Sequence, residues 1–115
     1  MTTNYMPRRG DLVWLSFDPQ AGHEQAGHRP AFVFSPQAYN RKTSLLLACP
    51  VTSKIKGYPF EVPLSADLPV RGVILADQIK SLDWRVRNAK FIARASASVI
   101  EDVLSLILPL LGEEP

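Results

Sequence analysis

The sequence predicts a mainly β fold, a small barrel with one helix laid on it at the C-terminus. Three observations carry this. Short apolar runs recur through the first 95 residues and are punctuated by Gly and Pro, the spacing of strands and turns rather than of long helices. Phe60-Glu61-Val62-Pro63-Leu64 alternates apolar and polar, the period of a half-buried strand. From Val99 onward the period changes: Val99, Ile100, Val103, Leu104, Leu106, Ile107, Leu110 and Leu111 recur at helical spacing.

Taken in order, Gly10-Asp11 leads into a strand over Leu12 to Phe17. A polar loop, Asp18 to about His28, is long for a hairpin connection, which favours a functional role. Pro30 to Ser35 is the second strand, Tyr39 to Thr43 a polar connection, and Leu45 to Val51 a third, fully apolar strand. Ser53 to Pro59 is a second polar and basic loop. In the strand after it, Pro63 cannot donate to a ladder, which puts that strand at an edge or at a bulge. Gly72 to Lys80 reads as the fifth strand, Trp84 to Arg87 as a turn region, and Ala89 to Ala95 as a short sixth strand. Ser98 with Glu101 forms a capping box for the final helix, with Ser96 an equally good N-cap. Pro109 removes a helical hydrogen bond and is expected to kink or fray the last turn. A chain of 115 residues, 46% hydrophobic and 21% charged, fits a single domain over 1–115. No apolar run approaches the ~20 residues of a membrane span and no leader is visible, so a cytoplasmic location is expected.

Charge is unevenly distributed. All thirteen Lys and Arg precede Ser96, against seven of the eleven Asp and Glu, so the body carries +6 within a net +2. Such a body suits a polyanionic partner. The lone Cys49 lies in an apolar run and reads as a small buried hydrophobe, not a nucleophile. There is no CxxC or HxxxH, and His23 and His28 lack a third ligand, so neither a metal nor a cofactor is expected. Nucleotide-binding loops and a GxSxG elbow are absent as well.

What remains is a polar cluster at the start of the second strand, Glu24, Gln25, His28 and Arg29, and a second after the third strand, Thr52, Ser53, Lys54 and Lys56. If the two strands are neighbours, the start of one lies beside the end of the other. Arg29 and Thr52 then meet at one rim with Lys54 and Lys56 nearby, a guanidinium fork and a hydroxyl donor that suit a phosphate. Read alone, a His-Arg pair before a strand, such as His28-Arg29, is more often a solvated surface pair or a structural hydrogen-bond donor than a catalytic one. Trp14 is expected in the core, and Phe17 either in the core or stacking on unpaired bases.

Glu24 to Ala31 (EQAGHRPA) closely resembles the first motif of the MazF (PemK-like) toxin family. The resemblance extends from Pro7, Gly10-Asp11-Leu12-Val13-Trp14 and Phe17-Asp18-Pro19 through Ser35-Pro36, Tyr39-Asn40, Pro50, Thr52-Ser53 and Lys56 to Phe60. It ends with Gly72, Ala76-Asp77-Gln78, Lys80-Ser81 and Trp84-Arg85. It implies an SH3-like barrel of the MazF/CcdB toxin type with a C-terminal helix. It implies a homodimeric, metal-independent endoribonuclease specific for a sequence in single-stranded mRNA and neutralised by a MazE-like antitoxin. On this resemblance Arg29 and Thr52 match the central catalytic pair, and Glu24 and His28 match further catalytic positions. Phe17, Gln25, Ser53, Lys54, Lys56, Gln78 and Lys80 are the expected RNA-binding set.

The implied reaction is attack by the RNA 2′-hydroxyl on the adjacent phosphorus, giving a 2′,3′-cyclic phosphate or 3′-phosphate and a 5′-hydroxyl end. Arg29 and Thr52 suit stabilisation of the phosphorane, and His28, Glu24 or water the proton transfers, with a purely structural His28 left open. Leu104, Ile107, Leu108 and Leu111 exceed one helical stripe, so part of the helix is available to a dimer interface. Two rival readings are a gyrase poison of related fold, which would use an aromatic near the helix end where none follows Phe91, and a non-catalytic RNA-binding module.

Overall fold

The structure, a computed structural model, describes residues 5–16 and 28–114. Strand β1 (Asp11–Ser16) pairs antiparallel with β2 (His28–Val33) on one side and β7 (Lys90–Arg94) on the other. Strand β3 (Leu45–Thr52) is the centre of the sheet. One edge of β3 meets β2; the other meets β6 (Lys80–Asp83) along its first half and β5 (Val73–Leu75) along its last two residues. Strand β4 (Glu61–Pro63) pairs with β5 and ends the path β4-β5-β3-β2-β1-β7. Two helices complete the chain, α1 (Gln37–Thr43) and α2 (Ala97–Leu111). No described helix is long and apolar enough to cross a membrane.

Alternation sends successive side chains of the central strands into two cores. Leu12, Phe32, Cys49 and Val51 meet Val62, Ile74 and the α2 residues Val99, Val103 and Ile107 on one face. Val13, Leu15, Ala31, Val33, Leu46 and Ala48 meet Leu82 and Trp84 on the other. Burial on both faces is why β3 is apolar without a break. The ends of the path, β4 and β7, approach through the first core, where Val62 and Ala95 share a cluster with α2. The sheet is thus open in its pairing and barrel-like in its curvature, with the helix across the gap. Val103 and Ile107 are fully buried there, each a contribution of roughly 1.5–3 kcal/mol.

Three expectations change. The segment Gly72 to Lys80 is two strands, because pairing with β3 slips by three residues between Thr52↔Val73 and Ala48↔Lys80. A turn from Leu75 to Gln78, whose amide donates to the Leu75 carbonyl at 3.1 Å, takes up the slip. The polar connection at Tyr39 to Thr43 is helix α1, held by one buried side chain rather than an apolar stripe. Asn40 donates to the carbonyls of Pro7 (2.9 Å) and Ser35 (3.2 Å) and accepts from Ser35 Oγ, while its own carbonyl accepts from Trp84 Nε1 (2.8 Å). Trp14 is not core: it is 39% exposed, because it sits near the end of β1 with Pro30 and Lys90 as cross-strand neighbours. Of the two N-caps the sequence offers, Ser96 is the one used, accepting from the Val99 amide, and the helix runs past an exposed Pro109 to Leu111. Pro63 stands on the terminal strand, where its missing N–H costs the ladder nothing. Leu108 and Leu111 of the surplus apolar set are exposed, and Ile107 is buried.

Candidate active site

Strands β2 and β3 run antiparallel with Val33 opposite Ala48, Phe32 opposite Cys49 and Ala31 opposite Pro50. The pairing ends at Ala31–Pro50; the same register continued two residues outward points Arg29 toward Thr52. Beyond Pro50, β3 turns toward β5, so these two residues stand where the strands part and the rim opens. Alternation puts both on the face of Ala31 and Ala48. Continuing outward, Thr52 pairs with Val73, and Leu75 with Glu61, so this face runs across β2, β3, β5 and β4.

A cleft of about 260 Å³ opens on that face, lined by Thr52, Lys54, Lys56, Tyr58, Glu61, Leu75 and Gln78. Its walls are tied down by local hydrogen bonds. The Lys54 amide donates to Thr52 Oγ1 at 3.1 Å, which fixes the hydroxyl oxygen and leaves its proton available to an acceptor. The Glu61 carboxylate accepts from the amides of Lys56 and Gly57, one oxygen each at 3.0 Å. Gly57 adopts φ +77°, a left-handed turn suited to glycine, and the loop folds back toward β4. With both oxygens engaged by amides, Glu61 supports two flanking lysines in a cleft that is otherwise cationic.

Thr52 is also set from behind. Gly72 has φ +121°, and a Cβ there would lie 2.1 Å from the Thr52 carbonyl oxygen and 2.8 Å from its carbon. Only a residue without a side chain lets β5 approach the end of β3 this closely. Tyr58 donates to Asp77 Oδ2 at 3.0 Å, and that hydrogen bond, with the carboxylate charge, raises the phenol above its ordinary pKa. Sequence reasoning missed Gly72, Glu61 and the Tyr58–Asp77 tie. The signals available were a glycine at the start of a strand and an aromatic inside a basic loop.

Of the expected site residues, the structure brings together Thr52, Lys54, Lys56 and Gln78 in the cleft; Arg29 is exposed on β2, paired with Leu15, two residues before the last β2–β3 pair and outside the cleft lining. Ser53 is exposed immediately after β3. Lys80, opposite Ala48, shares the face but lies about 13 Å along the strand from Thr52 at ~3.3 Å per residue. His28, the strand neighbour of Arg29, is exposed, and alternation sends it to the opposite face. Phe17, Glu24 and Gln25 lie outside the described residues. Cys49 is buried against the Ala76 carbonyl, with its thiol pushed up to about 12 by burial and then by the Asp77 charge, as an inert core cysteine should be.

The chain was compared with known proteins. The family described as PemK-like, MazF-like toxin of type II toxin-antitoxin system matches residues 8–111. The chain is 56% identical over 89 residues to the endoribonuclease toxin MazF of Escherichia coli (strain K12), covering 77% of this chain and 79% of that protein. It is 41% identical over 103 residues to the endoribonuclease toxin ChpB of the same strain, covering 84% and 86%. Among solved structures, MazE-MazF (Form-II) from Deinococcus radiodurans superposes with a TM-score of 0.90 at 58% identity, covering 96% of this chain and all of the matched one. Fold, motif order and extent of match agree, and the chain belongs to the PemK-like, MazF-like toxins of type II toxin-antitoxin systems.

Proposed function

We propose that this protein is the toxin of a type II toxin-antitoxin system, a single-domain cytoplasmic endoribonuclease over residues 1–115 that cleaves single-stranded mRNA at a specific sequence. The observation that supports the site is the β2–β3 register, which, continued two residues past Ala31–Pro50, points Arg29 toward Thr52 and the cleft of Lys54 and Lys56. Its relatives are named endoribonuclease toxins, and a structure 58% identical to it pairs such a toxin with its MazE antitoxin.

The nucleophile is the substrate's own 2′-hydroxyl, so the protein supplies no activated Ser or Cys. It supplies donors for the charge that develops on the phosphorane. Arg29 offers a planar fork to two non-bridging oxygens, and Thr52 offers the hydroxyl proton that the Lys54 amide leaves available. Lys54 and Lys56 hold the flanking phosphates, with Gln78 in the same cleft, Lys80 further along the face, and Ser53, Phe17 and Gln25 completing the RNA-binding set. Guanidinium, with a pKa above ~12, is a poor base near neutrality. Strand alternation turns His28 away from Arg29, which favours the Glu24 carboxylate or water for the proton from the 2′-hydroxyl and assigns His28 a supporting role. The toxin acts as a homodimer, with Leu108 and Leu111 of α2 among the apolar surface available to a second copy. A MazE-like antitoxin with an acidic, disordered tail competes with RNA for the positive face.

The test is incubation with a long single-stranded RNA in EDTA, followed by mapping of the ends. Discrete cuts leaving 5′-hydroxyl ends are expected from the wild type and none from Arg29→Ala. Absence of cleavage, or equal cleavage by Arg29→Ala, would sink the reading. His28→Ala is expected to keep the pH–rate profile; a lost limb in that profile would restore His28 as the base.

A further inference from the structure

Tyr58 is unusual for an exposed aromatic, because two contacts orient it. Its hydroxyl donates to Asp77 Oδ2 at 3.0 Å, and its ring meets Phe60 at 6.0 Å between centroids with the planes tilted by 48°. The ring nevertheless remains 47% exposed and lines the cleft with Leu75 and Gln78. The tie is not free to the fold: Asp77 Oδ1 is buried with no hydrogen-bond partner among the described residues. A buried carboxylate oxygen without a partner costs stability and calls for an explanation. Holding Tyr58 at a fixed angle over the cleft supplies one.

The cleft's size and chemistry narrow its occupant. At about 260 Å³ it falls just below the roughly 300 Å³ at which pockets for larger ligands begin, and it suits a single planar group with its substituents. Its lining combines the aromatic Tyr58, the apolar Leu75, the exposed Gln78 with an amide donor and acceptor, and two lysines. Aromatic faces interleaved with cations are the recurrent solution for unpaired nucleotides, since every base has a π-face and every linkage a negative charge.

We propose that this cleft is a nucleotide subsite beside the scissile phosphate, in which Tyr58 stacks the base, Gln78 reads its edge and Asp77 is the positioning residue that holds the Tyr58 ring. The proposal rests on the endoribonuclease reading and assigns part of its sequence specificity to residues outside the Arg29–Thr52 pair. Because the ring is already oriented, stacking spends little rotamer entropy on binding. Tyr58 is exposed, so its replacement should leave the fold intact, which a melting curve checks.

The experiment first maps a cleavage site on a long RNA. It then uses short oligonucleotides spanning that site, with an abasic ribonucleotide placed at each position in turn. At one position the abasic substitution should lower kcat/KM of the wild type on the order of tenfold, the scale of one lost base–aromatic stack. Tyr58→Leu should show a comparable loss on the intact oligonucleotide and no further loss at that one position. Tyr58→Phe, which keeps the face and loses the tie to Asp77, should retain most activity with a raised KM. The subsite is refuted if Tyr58→Leu cleaves like the wild type, if its loss is independent of every abasic position, or if Tyr58→Phe is as impaired as Tyr58→Leu. If the wild type does not cleave RNA at all, the endoribonuclease reading has failed and the subsite falls with it.

Discussion

Replacing Gly72 by alanine probes both the fold and the site through one added methyl group. The new Cβ would sit 2.1 Å from the Thr52 carbonyl oxygen, 2.8 Å from its carbon and 3.0 Å from Ser53 Cα, all backbone atoms that no rotamer change can move. The φ of +121° adds a conformational cost of about 1–3 kcal/mol for a residue with a side chain. Relief of the overlap by shifting β5 from β3 adds about another 1–3 kcal/mol. The sum, roughly 2–6 kcal/mol, is a large share of the ~5–15 kcal/mol that holds a domain of this size. Gly57→Ala is the matched control: φ is +77°, but nothing lies within 4 Å of its Cβ, so it carries the conformational cost alone, ~1–2 kcal/mol. Thermal unfolding followed by circular dichroism should show Gly72→Ala melting at least about 10 °C below the wild type and well below Gly57→Ala. Where it stays folded, RNA cleavage should fall more than stability, because the displaced backbone is that of Thr52. A melting point for Gly72→Ala equal to that of Gly57→Ala would refute the close-approach argument.

Two other perturbations follow from buried groups. Cys49 should resist alkylation at pH 8 in the folded protein and react only at the rate of unfolding; fast native labelling would contradict its burial. The thiol ionises near 9.0 when unperturbed and about 12 in the fold, so the stability linked to it is complete below pH 9, is lost as pH rises toward 12, and should appear as a falling melting point over that window. Asp11, 2% exposed, accepts from Tyr5 Oη (2.5 Å), the Arg8 amide (3.1 Å) and Arg94 Nη1 (3.1 Å), and joins the N-terminal segment to β7. Asp11→Ala should cost about 2–3 kcal/mol in urea unfolding, less than the 3–5 kcal/mol of a fully buried pair because the Arg94 side chain is 39% exposed; a loss under ~0.5 kcal/mol would contradict the role of this cluster.

The architecture was readable where a residue's role depends on local period. The apolar β3 run, the alternating β4 and the helical spacing of α2 each declared themselves, because burial on one or two faces writes its period into the chain. Helix α1 did not, because it is held by Asn40 hydrogen bonds to Pro7 and Ser35 and buries no apolar stripe. The break between β5 and β6 did not either, since both halves pair with the same strand and only the register slip separates them. Trp14 misled because composition says what a side chain prefers, and only pairing shows that this one lies toward a strand end. At the site, the neighbouring of β2 and β3, on which the pairing of Arg29 with Thr52 rests, followed from their order in the chain. Of the supports, Gly72 and Asp77 reach Thr52 and Tyr58 from far along the chain, and the Glu61 bonds to the amides of Lys56 and Gly57 are local but write no apolar period into the sequence.

The most direct test of the claim that Arg29 and Thr52 form one phosphate site is a double-mutant cycle on RNA cleavage. Arg29→Lys keeps the charge and loses the fork; Thr52→Val keeps the shape and loses the hydroxyl. Each alone should lower kcat on the order of 10²–10³-fold, as removal of one transition-state donor does. Measured under single-turnover conditions, the double variant should lose much less than the product of the two, because both groups act on the same developing charge. Strictly multiplicative losses, or near wild-type cleavage by either single variant, would contradict the account.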